Sequence, residues 1–185
     1  MKIYLAGPDV FLPNSAEVLA AKSTLVREAG LTPLAPGDAQ VDRSLSHFDQ
    51  GCAISEVDED MMNRADAIIA NLTPFRGVSA DPGTAFELGY MAARGKAVFA
   101  YTNEVRPLTD RIRSALGAED DGSGQLRDRD GHAVESFAMA DNLMLHGGVA
   151  RRGAALIVHD GGGRIADLGG FTLALTQAAA WHESQ

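Results

Sequence analysis

The amino-acid sequence predicts a doubly wound α/β fold, a five-stranded parallel sheet with helices on both faces. Short apolar runs rich in strand formers recur at Lys2 to Ala6, Leu31 to Ala35, Ala67 to Asn71, Ala97 to Tyr101 and Ala154 to His159. Runs of this kind, without polar alternation, suit strands covered on both faces. Between them lie segments of helical period carrying start and stop signals.

The elements justify themselves in order. Lys2 to Ala6 is broken at once by Gly7-Pro8-Asp9, as expected of a central strand. Asn14 and Glu17 have capping-box spacing and open a helix that ends at Gly30. After the second strand, residues 37–52 show no clear period and read as a polar loop at the carboxyl ends of the strands. Ala53 to Arg64 reads as an acidic amphipathic helix with Ile54, Val57, Met61 and Met62 inward, its run of Glu56, Asp58, Glu59 and Asp60 forming a solvated face. Leu108 to Leu116 and Ala133 to Leu145 read as helices on either side of a charged, glycine-bearing surface excursion over 119–131, and Leu168 to Trp181 closes the chain. The alternation argues for a flavodoxin- or Rossmann-like sheet, in which ligands sit beyond the carboxyl ends of the strands.

The 185 residues, 45% of them hydrophobic, suit one compact domain spanning 1–185. A net charge of -9 argues against a nucleic-acid backbone or an anionic membrane as partner and leaves small neutral molecules open. Cys52 stands alone, so no internal disulfide forms. No apolar stretch approaches the roughly 20 residues that span a bilayer, and the amino terminus runs straight into a strand rather than a signal peptide, so a cytoplasmic protein is expected.

The chemistry concentrates in Asp81 to Gly95, DPGTAFELGYMAARG. Asp81 reads as an N-cap, Pro82 as the first helical residue and Gly95 as the stop. From Pro82 to Ala93 the only charge is Glu87, in a helix apolar nearly all round and therefore expected to be buried. A buried carboxylate is costly unless it is hydrogen-bonded or neutralised, which makes Glu87 the leading catalytic candidate. Helical side chains lean toward the amino terminus, so Glu87 is expected to share a pocket with Asp81, with Gly83 and Thr84 leaving room above the helix end.

Other chemistries lack their motifs. No phosphate-binding glycine loop follows the first strand, no nucleophile elbow is present, and the five histidines have no metal-ligand spacing, so neither metal nor cofactor is expected. Paired carboxylates instead suit reactions through an oxocarbenium-like sugar centre.

Four blocks, IYLAGP at 3–8, AIIANLTPFRG at 67–77, DPGTAFELGY at 81–90 and DNLML at 141–145, together resemble the nucleoside 2-deoxyribosyltransferases. The resemblance implies that Glu87 attacks C1' of a 2'-deoxynucleoside, that Tyr4 orients it, and that Asp81 holds the sugar. It implies substrate contacts at Gly7 and Phe11 after the first strand and at Asn71. Gln40, with Asp38, becomes a candidate to read the base edge. It further implies a homo-oligomer, at least a dimer, in which Asn142 and Met144 reach a neighbouring subunit's site. Some members place an aspartate where Asn71 stands, as proton donor to the base; an amide cannot serve, which leaves Asp81 or water. Two rivals stay open: N-glycoside hydrolysis of a 2'-deoxynucleoside or its 5'-phosphate, and a non-catalytic nucleoside-sensing domain on the same fold.

Overall fold

A computed structural model describes residues 1–37 and 41–185. The chain runs β1 (Lys2–Ala6), one 3-10 turn (Pro8–Phe11), α1 (Ser15–Glu28), β2 (Thr32–Leu34), α2 (His47–Arg64), β3 (Ala67–Asn71), α3 (Pro82–Ala93), β4 (Ala97–Thr102) and α4 (Leu108–Leu116). Then follow β5 (Glu119–Asp120), β6 (Leu126–Arg127), α5 (Leu143–Ala150), β7 (Ile157–Val158) and α6 (Gly169–Glu183). Five strands form one parallel sheet in the order β2-β1-β3-β4-β7. The expected doubly wound sheet is thus the observed one. Helices α1 and α6 pack together, as do α3 and α5, so both faces of the sheet are covered.

The core follows from the apolar runs. Ile3, Ala67, Ile68, Ile69, Ala70, Val98, Phe99 and Ala100 are shielded almost completely, with Val26, Met62, Met91 and Phe171 packed over them from the helices. Burial of Ile- or Leu-sized side chains at ~1.5–3 kcal/mol each makes these central strands the stable frame to which loops attach.

Several elements differ from the sequence expectation, each for a local reason. Helix α2 begins at His47 rather than Ala53, because the Ser46 hydroxyl accepts from the Asp49 N–H at 3.1 Å and donates to its carboxylate at 2.6 Å. The helix expected over Ala133 to Leu145 is absent as such. Val134 packs with Ala118 and Leu126 in a small satellite cluster, and helix begins only at Leu143, where the Glu135 carboxylate accepts from the Asn142 amide and the Leu143 N–H. Side-chain bonds to the backbone compete here with helix. The 119–131 excursion is a two-stranded antiparallel hairpin, and the last sheet strand is only Ile157–Val158, its edge pairing limited to β4. Ile54 and α3 are also less buried than expected, as the site explains.

Under the 3-10 turn lies a polar centre that composition does not reveal. Lys22 sits in line with Val18 and Val26 on the inner face of α1 and is 2% exposed. Its ammonium pairs with Asp9 at 2.7 Å, donates to the Tyr101 hydroxyl at 2.8 Å and lies over the Tyr101 and Phe171 rings. Burial pushes the Lys22 pKa down and Asp9 pulls it back. The pair fixes the turn that carries Val10 and Phe11. Replacing Lys22 by Met leaves Asp9 uncompensated and is expected to lower unfolding free energy by ~3–5 kcal/mol. Urea denaturation at neutral pH measures it, and Asp9→Asn in the same chain is expected to recover part of the loss.

Candidate active site

Strand order reverses at β1, with β2 on one side and β3 on the other, so the loops after β1 and β3 diverge and leave a crevice. A cavity of about 230 Å³ occupies it. Gly7, Val10 and Phe11 line it from the end of β1, Pro36 and Gly37 from the end of β2, Ile54 and Asp58 from α2, and Asp81, Gly83, Thr84 and Glu87 from the start of α3. Drug-sized ligands occupy roughly 300–1,000 Å³, so this space suits a pentose with a further group at the mouth.

The wall of the cavity is built from short-range sequence rules. The Asp81 carboxylate caps α3, accepting from the Thr84 N–H at 2.9 Å and from its hydroxyl at 3.2 Å. The preceding loop is pinned by a buried ion pair. Asp141 accepts from Arg111 at 3.0 Å, from the Ala80 N–H at 3.1 Å and from the Ser79 hydroxyl, while Arg111 also donates to the Val78 carbonyl at 2.7 Å. Gly7 is required by close approach: a methyl there would come within 2.5 Å of Asp9 Oδ2 and 2.7 Å of Asn71 Cβ. Phe11 is half-exposed at the mouth, its ring stacked 5.1 Å from Phe75 with the Arg76 guanidinium against both.

Glu87, in the second turn of α3, accepts a 2.6 Å hydrogen bond from the Tyr4 hydroxyl. Tyr4 comes from the middle of β1 and is fully buried, so the bond ties the central strand to the helix. Burial pushes the Glu87 carboxyl up to about 7; the Tyr4 hydrogen bond pulls it down, and Asp58 and Asp81 push it further up. Burial and the neighbouring Glu87 charge raise the Tyr4 hydroxyl, which stays a donor. Near neutral pH the cavity therefore holds a carboxyl group poised between its acid and carboxylate forms, poorly hydrated and oriented by one strong donor. That is what a nucleophile toward an electron-poor carbon needs.

The structure brings Tyr4, Gly7, Phe11, Asp81 and Glu87 together as the sequence suggested. Asn71 is not among the residues lining the cavity: it is fully buried, its amide donating to the Ile165 carbonyl at 3.3 Å and to Asp9 at 3.5 Å. Asp38 and Gln40 lie outside the described residues. Asn142 caps α5, and Met144 is 73% exposed beside a separate cavity of about 280 Å³ between α3 and α5. Two sequence readings are corrected. Helix α3 is buried on one face only, through Thr84, Leu88 and Met91, while Phe86 is 57% exposed. Asp58 and Ile54 do not behave as a solvated acid and a core residue; both line the cavity. Their i, i+4 spacing on α2 is the signal that could have found them.

Among the described residues, one group could gather around a metal, Asp128, Asp130 and His132, with ligand atoms within 4.8 Å of one another. None of the three lines the cavity, and Asp128 is already the acceptor for the Asp130 and His132 backbone.

The family model described as nucleoside 2-deoxyribosyltransferase matches residues 3–144, which include every element of the cavity. The chain belongs to that family. A 2-deoxyribosyltransferase from Leishmania mexicana has a solved structure that is 32% identical, covers 98% of each chain and superposes with a TM-score of 0.69. An uncharacterised protein of Schizosaccharomyces pombe is 36% identical over 169 residues, covering 84% of this chain and 80% of its own. A conserved protein from Enterococcus faecalis shares the fold at 21% identity, with a TM-score of 0.57 and coverage of 96% of this chain and 98% of its own.

For a deoxyribosyltransferase-family site, the buried glutamate has a cost that depends on pH. Below the ordinary carboxyl value near 4.5, folded and unfolded chains both hold the Glu87 proton; between there and about 7 the unfolded chain loses it first. Stability due to this group is thus complete at low pH and lost as pH rises through about 7. Glu87→Gln is expected to be as stable as the wild type near pH 4 and more stable by ~2 kcal/mol near pH 8, read by thermal melts at both. A Gln variant equally stable at both would mean that Glu87 is well solvated.

Proposed function

We propose that the protein transfers 2-deoxyribose between nucleobases through a covalent deoxyribosyl ester on Glu87. The observation that carries this reading is the Glu87 carboxylate, buried at the switch point of the sheet and held by the Tyr4 hydroxyl. A Glu87 oxygen forms a bond to C1' as the C1'–N bond breaks and its electron pair leaves with the base. The incoming base then attacks C1' through a ring nitrogen and Glu87 departs as carboxylate. A 2'-hydroxyl would withdraw electrons from the oxocarbenium-like centre, so 2'-deoxy donors react more readily.

In this reading Asp81, at the helix end and in the cavity lining, holds the sugar. Phe11, at the mouth, offers an aromatic face to the base. The acceptor and donor bases use the same place in turn, which requires the ester to outlive the exchange of one base for another. The described lining contains three acids and no cation, which disfavours a 5'-phosphate in the cavity. Exposed Met144 and the Asn142 cap stand at the start of α5, where a second copy of the chain could receive them; a homo-oligomer with shared sites is part of this reading. Hydrolysis of the ester by water is the alternative fate of the same intermediate.

The test is base exchange. With deoxyinosine as donor, deoxyadenosine is expected only when adenine is added, whereas hypoxanthine release at one rate with or without adenine would make the protein a hydrolase. Glu87→Ala is expected to lose ~10³-fold or more in turnover. Tyr4→Phe removes the bond that lowers the Glu87 pKa, so the acid limb of its pH–rate profile is expected to move above about 7. A profile unmoved in the Phe variant would remove Tyr4 from the mechanism.

A further inference from the structure

We propose that Arg76 is a positioning residue for the nucleobase: clamped on the Phe11 and Phe75 rings, its guanidinium holds the Phe11 ring as a fixed wall against which a base stacks at the mouth of the cavity. The inference rests on the reading of this cavity as a nucleoside site with the base beside Phe11.

The backbone marks Arg76 first. It has a φ of 55°, one of two positive values at non-glycine positions among the described residues, although Gly77 follows it directly. A left-handed φ disfavours any residue with a Cβ, and a glycine would sit there at lower cost. The turn that imposes it is firmly based. The Phe75 N–H donates to the Ser79 carbonyl at 3.1 Å, and Asp141 and Arg111 hold Ser79, Ala80 and Val78 from below. From this tip the Arg76 side chain folds back over Phe75 and reaches across to Phe11. Its Cζ lies 4.6 Å from the first ring centre and 4.8 Å from the second, and the two rings stack at 5.1 Å and 11°.

Stability alone gives no reason for an arginine here. Exposed cation–π contacts are each weak and together offset little more than the strained φ. In a chain with a net charge of -9, no ion pair among the described residues involves Arg76. The reason lies at Phe11. The Asp9–Lys22 pair seats the backbone of the 3-10 turn, but the Phe11 side chain is half in water and lines the cavity. Such a ring exchanges rotamers unless its neighbours stop it, and Phe75 and the guanidinium stand against it. Neither of them lines the cavity, so both act on a ligand through Phe11. An aromatic wall already ordered in the free protein binds a planar base more tightly, because its freedom is not lost on binding. The base is the part of the substrate that changes between the two half-reactions. The clamp therefore acts on base capture rather than on bond breaking at C1'.

Arg76→Gly is the informative variant, since glycine takes the left-handed φ without strain and keeps the turn while removing the clamp. Titration calorimetry with free adenine and free thymine measures base binding without turnover. The variant is expected to bind the base that the wild type binds ~3–10-fold more weakly. In base exchange its KM for the acceptor base is expected to rise by the same factor, with kcat changed by no more than about twofold. Added to Phe11→Leu, the same substitution is expected to cost nothing further, because the ring it positions is gone. Unchanged affinity in Arg76→Gly would overturn the proposal. So would a loss of equal size in the Phe11→Leu background, which would put Arg76 on the base itself. A wild type that binds base yet exchanges none would overturn the transfer reading, and the calorimetric comparison would still decide Arg76; a wild type that binds neither base would overturn this inference.

Discussion

The site depends on keeping one carboxylate dry without letting it stay neutral. Burial favours the protonated form of Glu87, and the two nearby acids add to that; the Tyr4 hydroxyl is the one strong contact that works in the other direction. The bond has to be made between a central strand and a crossing helix, which is why the rest of the architecture matters. Register between β1 and β3 fixes the height of Tyr4 in the sheet, and the Asp81 cap fixes where α3 begins and hence where its second turn falls.

A second constraint is a pair of charges buried beneath the first loop, outside the cavity lining. The Asp9–Lys22 pair beneath the first loop gives the 3-10 turn a rigid seat, and Gly7 lets that turn come close to Asn71. Val10 and Phe11 are therefore placed by a salt bridge that touches no ligand space. Loops at a switch point are commonly adaptable; here the first is tied to the core by the Asp9–Lys22 pair and by the close approach of Gly7 to Asn71.

Sequence reading recovered the central strands because they are covered on both faces and so appear as uninterrupted apolar runs, and it recovered α3 because cap, proline and stop glycine stand at its ends. It failed where a residue's role depends on a distant partner. Val134 reads as helical and is claimed by the hairpin cluster; Ser46 and Asp49 read as loop and are a cap. Lys22 looks like a solvated lysine until its place in the Val18–Val26 row is noticed, and Asp58 hides in a run of four acids whose other members face outward. The pocket residues Tyr4, Asp81 and Glu87 were legible through their blocks, whereas only tertiary structure shows Asn71 buried outside the cavity lining, bonded to Asp9 and Ile165, and Asp58 within that lining.

The Arg111–Asp141 pair has a consequence of its own. Asp141 clasps Ser79 and Ala80, which lead into the capped end of α3, and it directly precedes Asn142, which starts α5. One buried carboxylate thus sets both the threshold of this chain's cavity and the position of the segment it presents on its surface. If copies of the chain share that segment, the entrance of one cavity and the surface offered to the next hang on the same carboxylate.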